Sequence, residues 1–262
     1  MWLSSRVTWH RKFLFSIKRL GPIGLFRYVV QIPMKKYRIR SLTKRMLNAE
    51  SIKNRFTFIF DQNYWGDSES KSGYGSSLAM TVSLRRELPN LINLFEVKTI
   101  FDAPCGDFNW MKEVDLSQIR YTGGDIVKNL IEKLQNEYSG DNINFLEFDL
   151  TSDQIPCSDL VLIRDCLFHL STRDILEVLS NFVKSKSKYL LTTSHLNNRE
   201  FVNRDILSGD FRRLDLFSHP YFLPKEYLFE IVEEADELTP TRSLYLWTHE
   251  QVSYALYQMR SK

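Results

Sequence analysis

Between residues 97 and 165 four short apolar runs follow one another, and each ends on or beside an acid. Val97, Ile100 and Phe101 lead into Asp102; Tyr121-Thr122-Gly123-Gly124 leads into Asp125; Ile143 to Phe148 leads into Asp149; Leu160 to Ile163 leads into Arg164-Asp165. Short β-prone runs of this kind read as buried strands. The stretch after the second run has helical spacing, with Ile126, Leu130, Ile131 and Leu134 along residues 126–138. Strands alternating with helices predict an α/β chain with parallel pairing.

The turn after the first run is Ala103-Pro104-Cys105-Gly106-Asp107. Pro104 sets one backbone angle, and Gly106 lets the chain turn or approach a ligand with no side chain in the way. In an open α/β sheet, nucleotide-like ligands lie at such strand ends. About twenty residues on, Asp125 stands where an acid accepts hydrogen bonds from ribose hydroxyls.

This ordered set resembles the class I S-adenosylmethionine (SAM) dependent methyltransferases, over roughly residues 65 to 255. Pro104 and Phe108 stand where glycines are common in that family, while Gly106 is retained. The resemblance implies a Rossmann-like fold: a mostly parallel seven-stranded sheet with helices on both faces. It also implies SAM as cofactor, held by Asp102, Pro104, Cys105, Gly106, Asp125, Ile126, Asp149, Leu150 and Arg164. The loop Ser70 to Ser77 matches a segment that covers the cofactor in related enzymes, which adds Ser72 and Gly73. An ordinary capped surface loop, and a plain turn at Asp149, are the alternatives there.

Strand ends face the ligand crevice, so Arg164 and Asp165 are placed near the reacting group. His169 is one helical turn beyond Asp165. Asp165 assisted by His169 is the expected base for a substrate hydroxyl, and His195, after the fifth run Tyr189 to Ser194, is its rival. An Arg164–Asp165 ion pair with a capping His169, and a solvated loop His195, are the alternatives. Residues 203–216 form a polar loop with interleaved apolar residues, suited to hydroxyl-rich acceptors. Similarity to methyltransferases of bacterial glycan biosynthesis adds to this, and implies O-methylation of a sugar hydroxyl. RNA, lipid and small-molecule acceptors are further options. Outside this class stand an NAD-dependent oxidoreductase, which lacks its G-x-G-x-x-G here, and a non-catalytic membrane-associated module.

Elsewhere, helices are expected over residues 41–60, over 78–87 with a stop at Pro89, from Trp110, and over 174–183. Residues 226–235 and 243–256 supply the last helix and strand material. Of the 262 residues, the first 55 hold fourteen Lys or Arg and one acid, Glu50. Residues 1–60 therefore read as a basic helical extension and 61–262 as the methyltransferase domain. The extension either packs on the domain or makes peripheral contact with anionic lipid; nucleic acid is the less favoured partner. It contains neither a bilayer-length apolar run nor a signal-peptide pattern. Cys105, Cys157 and Cys166 cannot all pair internally and show no metal spacing, which fits a reducing, cytoplasmic setting and no metal.

Overall fold

The computed structural model describes residues 41–195, 197, 200–235 and 241–260. The chain divides into two compact units, residues 1–48 and 49–262. In the first, residues 41–47 are helical; the basic residues 1–40 lie outside the described residues. The second unit begins ahead of the expected boundary at residue 61, because the helix α1 (Ile52–Asp61) belongs to it. Ser51 caps that helix by accepting the Asn54 N–H at 3.1 Å.

Seven strands form one sheet in the order β3-β2-β1-β4-β5-β7-β6. They are β1 (Thr99–Asp102), β2 (Arg120–Asp125), β3 (Ile143–Glu147), β4 (Leu160–Ile163), β5 (Tyr189–His195), β6 (Phe229–Val232) and β7 (Arg242–Thr248). The first five are parallel, and β7 runs antiparallel between β5 and β6. The expected fold is therefore present: a mostly parallel seven-stranded sheet of the Rossmann-like methyltransferase type. Every side chain of β4 is buried, as a strand covered on both faces requires.

Alternation along the strands feeds two cores. Ile100, Leu160, Leu162, Leu191 and Leu246 join one; Phe101, Val161, Ile163, Leu190 and Trp247 join the other. The first packs against α2 (Val82–Leu94) and α3 (Lys128–Tyr138), the second against α4 (Thr172–Ser185) and α5 (His249–Arg260).

Three local expectations fail. The helix expected over residues 41–60 is interrupted at 48–51, where Ser51 starts α1. Pro89 does not end a helix but lies inside α2. The buried row Leu84, Leu88, Leu91 and Ile92 holds both halves to the sheet, and that packing outweighs a cost of roughly 3 kcal/mol for a proline in a helix interior. After Trp110 only one turn of 3-10 helix forms, Met111–Glu113, before the chain extends at Val114. The segment is too short for more: Asp115 accepts the Ser117 N–H at 3.0 Å and turns the chain toward β2.

Candidate active site

The strand order reverses between β1 and β4, the place where an open α/β sheet leaves a crevice. A cleft opens there, bounded by the ends of β1, β2, β3 and β4. Its floor is the turn after β1. The Cys105 N–H donates to the Gly124 carbonyl at 2.8 Å, tying the turn to β2. Gly106 has φ 56°, and a Cβ there would sit 2.3 Å from Ser72 Oγ, so only glycine fits.

Two acids flank this floor. Asp125 accepts the Gly106 N–H at 3.2 Å and the Val127 N–H at 3.0 Å. Burial still pushes its carboxyl up to about 6, with those N–H donors opposing. Asp102 accepts the Tyr121 hydroxyl at 2.7 Å, and burial raises it to about 7.

A loop covers the turn. Asp107 accepts from Ser70 Oγ at 3.0 Å and from the Lys71 N–H at 2.8 Å, and its own N–H donates to Ser72 Oγ at 2.9 Å. Ser72 lines the cleft, whereas Gly73 lies against Trp65 and does not. Ile126, Phe148 and Leu150 make an apolar wall. Asp149 stands beside it, accepting from the Thr151 N–H and Oγ1 at 2.9 and 2.6 Å. Ile52, Phe56 and Phe60 of α1 form another wall, together with Trp65 and Trp110.

At the front edge four charges interlock. Arg164 donates Nε to Glu233 Oε1 at 2.7 Å and Nη2 to the Gly75 carbonyl at 2.6 Å, and its guanidinium lies 5.6 Å from the centre of the Trp110 ring. Arg242 donates Nε to Asp165 Oδ1 and Nη2 to Asp165 Oδ2, both at 2.9 Å, and its Nε lies 2.9 Å from Glu233 Oε2. The Arg164–Asp165 pair, the alternative reading of these two residues, is the loosest contact of the set, at 3.5 Å. Burial would raise the Asp165 carboxyl, but Arg164 and Arg242 hold it below its ordinary value. A carboxylate so held is a poor proton acceptor, which corrects the expectation that Asp165 is the base.

The two histidines differ in their free nitrogen. His169 lines the cleft, and its Nδ1 is 2.8 Å from the Asp210 carbonyl. A carbonyl only accepts, so Nδ1 carries the proton and Nε2 is bare. Burial lowers the His169 pKa, keeping the ring neutral near pH 7. His195 is 1% exposed and does not line the cleft. Its Nδ1 accepts the Leu214 N–H at 3.2 Å, so its proton sits on Nε2 and its lone pair is spent. Burial lowers it to about 4. The geometry removes His195 as a base.

Of the expected residues, Ser72, Asp102, Pro104, Cys105, Gly106, Asp125, Ile126, Asp149, Leu150, Arg164, Asp165 and His169 meet in one cleft; Gly73 and His195 stand outside it. Arg242, Glu233 and the α1 wall are additions. The run Phe56 to Phe60 signalled burial, but not against a ligand. The polar loop 203–216 turns several of its polar groups inward. Asn203 donates to the Asp215 and His219 carbonyls at 2.8 Å each, and Asp205 caps α4 through the Thr172 N–H at 2.7 Å.

No protein-family model matches the chain, and no curated protein matches it. Solved structures match in fold. A SAM-dependent methyltransferase of Leishmania major is 14% identical with a TM-score of 0.57, over 80% of this chain and 91% of that one. Magnesium protoporphyrin IX methyltransferase from Synechocystis, crystallised with SAM, is 12% identical with a TM-score of 0.53, over 77% of this chain and 98% of that one. Human N-acetylserotonin methyltransferase is 14% identical with a TM-score of 0.46, and the chain spans half of its length. At these identities the likeness is one of fold. Among the described residues no helix is long and apolar enough to cross a membrane.

Proposed function

We propose that this chain transfers the methyl group of SAM to an oxygen nucleophile, a sugar hydroxyl of a glycan or glycoconjugate. The observation that carries the reading is the pairing of Gly106 and Asp125 at the switch point: a bare backbone turn beside a buried acid, with the apolar wall of Ile126, Phe148 and Leu150 next to it. The residues fit the donor. Asp125 would take the ribose hydroxyls, the apolar wall the adenine, and the turn would lie under the rest, where a Cβ at Gly106 would fill the space. Asp107 and Asp125, with Asp102 partly ionised near pH 7, surround the turn, which suits a cationic sulfonium and repels a pyrophosphate. No α-helix N-terminus follows the turn to offset that repulsion, which weighs against a dinucleotide.

Bound, the donor supplies an electrophilic methyl group. The chain supplies the rest. His169 Nε2 accepts the hydroxyl proton while Nδ1–H stays on the Asp210 carbonyl. The rings of Trp65 and Phe211 flank His169 at 5.4 and 5.8 Å between centroids. Such faces cover the apolar face of a sugar and exclude water. The Trp65 ring, which lines the cleft, more than the inward-turned loop polar groups, supports a sugar acceptor.

Calorimetry on the full chain tests the donor: uptake of SAM and none of NAD is expected, and absence of SAM uptake by folded protein overturns the reading. Transfer from labelled SAM to a panel of glycosides tests the base. H169Q is expected to lose about 10²–10⁴ in rate while keeping SAM affinity; loss of SAM affinity with unchanged turnover would assign His169 to the cofactor instead.

A further inference from the structure

Arg212 is 1% exposed, and among the described residues no carboxylate lies within ion-pair distance of it. Its Nε has no hydrogen-bond partner among them either. The Arg212 charge helps hold the Asp205 carboxyl below its ordinary value from beyond ion-pair distance; a buried cation with no direct ion pair is costly, so its retention asks for a use. Its contacts point to one. Nη1 donates to the Leu170 carbonyl, Nη2 donates to the Tyr221 hydroxyl at 3.1 Å, and the Arg212 N–H donates to the Phe168 carbonyl at 3.2 Å. The Gly209 N–H donates to the His169 carbonyl at 2.7 Å. Residues 209–212 are thus laced along the turn 168–170 on both sides of His169, and the lacing sets the Asp210 carbonyl against Nδ1.

We propose that Arg212 is the positioning residue for His169: it straps residues 209–212 to the turn 168–170, so that the Asp210 carbonyl holds the imidazole proton on Nδ1 and leaves Nε2 bare. The inference rests on the reading of His169 as the base. The groups that face His169 are the Asp165 carboxylate and the Asp210 side chain, which favour its charged form, and Arg212, which opposes it; burial opposes it more strongly. Trp65, Phe168 and Phe211 add uncharged rings. Removing the Arg212 charge therefore shifts the balance toward the imidazolium.

Nitrogen NMR of the full chain with 15N-labelled histidine tests this, with H169Q assigning the His169 signals. The wild-type ring is expected neutral, protonated on Nδ1 alone. R212M is expected to mix the two tautomers and to move the His169 titration upward. R212K keeps the charge and is expected to titrate near the wild type. The acidic limb of the pH–rate profile is expected to follow the NMR titration. Should R212M fail to fold, the wild-type tautomer and R212K still decide: a wild-type ring protonated on Nε2, or an R212K titration displaced as far as expected for R212M, overturns the proposal. So does a folded R212M that melts earlier but keeps tautomer and titration, since that is a merely structural role. The NMR readouts need no SAM, so failure of the methyltransferase reading is seen separately, in the calorimetry.

Discussion

Arg242 closes on Asp165 through two parallel hydrogen bonds, Nε to Oδ1 and Nη2 to Oδ2, each 2.9 Å. Asp165 has φ 49°, and its N–H donates to Thr193 Oγ1 at 3.0 Å, so both its backbone and its carboxylate are committed. The carboxylate at the mouth of the cleft is therefore a structural anchor between β4 and β7.

That relationship sets a stability expectation. R242M leaves Asp165 and Glu233 sharing one guanidinium in a dry place. Breaking a buried pair from one side costs about 3–5 kcal/mol. Urea unfolding is expected to show a loss of that size, and a midpoint within error of the wild type would mean that solvent already screens the cluster.

Gly106 bears on the donor site. G106A must hold φ near 56° and place a methyl group against Ser72 Oγ. The backbone strain alone is roughly 1–2 kcal/mol, and relief of the clash pushes the loop 70–72 away from the turn. SAM affinity is expected to fall at least about tenfold by calorimetry. Unaltered affinity would remove the turn from the binding site.

Asp102 gives the chain a pH dependence of known sign. Its folded carboxyl titrates near 7 and an unfolded aspartate near 3.8, so the folded state binds the proton more tightly. The stability from this group is full below about pH 4 and drains away as pH rises through about 7. D102N keeps an acceptor for the Tyr121 hydroxyl and has no charge to bury. The gap in unfolding free energy between D102N and wild type is expected to widen in favour of D102N from pH 4 to pH 7, by on the order of a few kcal/mol. A gap that stays flat would show that water reaches Asp102.

Much of this layout was legible in the chain because the sheet is read locally. Leu160-Val161-Leu162-Ile163 is apolar on both faces, and the acids that end the runs fall on the carboxyl edge by topology alone. What escaped depends on pairings distant in sequence. Asp165 looks like a free acid until Arg242, on a strand that joins the sheet antiparallel, is folded against it. His169 and His195 look alike as letters; the Asp210 carbonyl and the Leu214 N–H make one a proton acceptor and the other not. Pro89 and the missing helix after Trp110 were misread because burial of Leu88 and Leu91, and the Asp115 turn, override propensity.

The charges of the front edge are split across time as well as space. Arg164 and Asp165 are synthesised with the parallel strands, while Glu233, just past β6, and Arg242, on β7, come some seventy residues later. On the ribosome the growing chain can stack its early strands and helices, yet the front edge of the cleft has no settled form until β6 and β7 emerge to complete the electrical balance. A nascent chain stalled before those strands would be a scaffold whose cleft lacks two of its four front-edge charges.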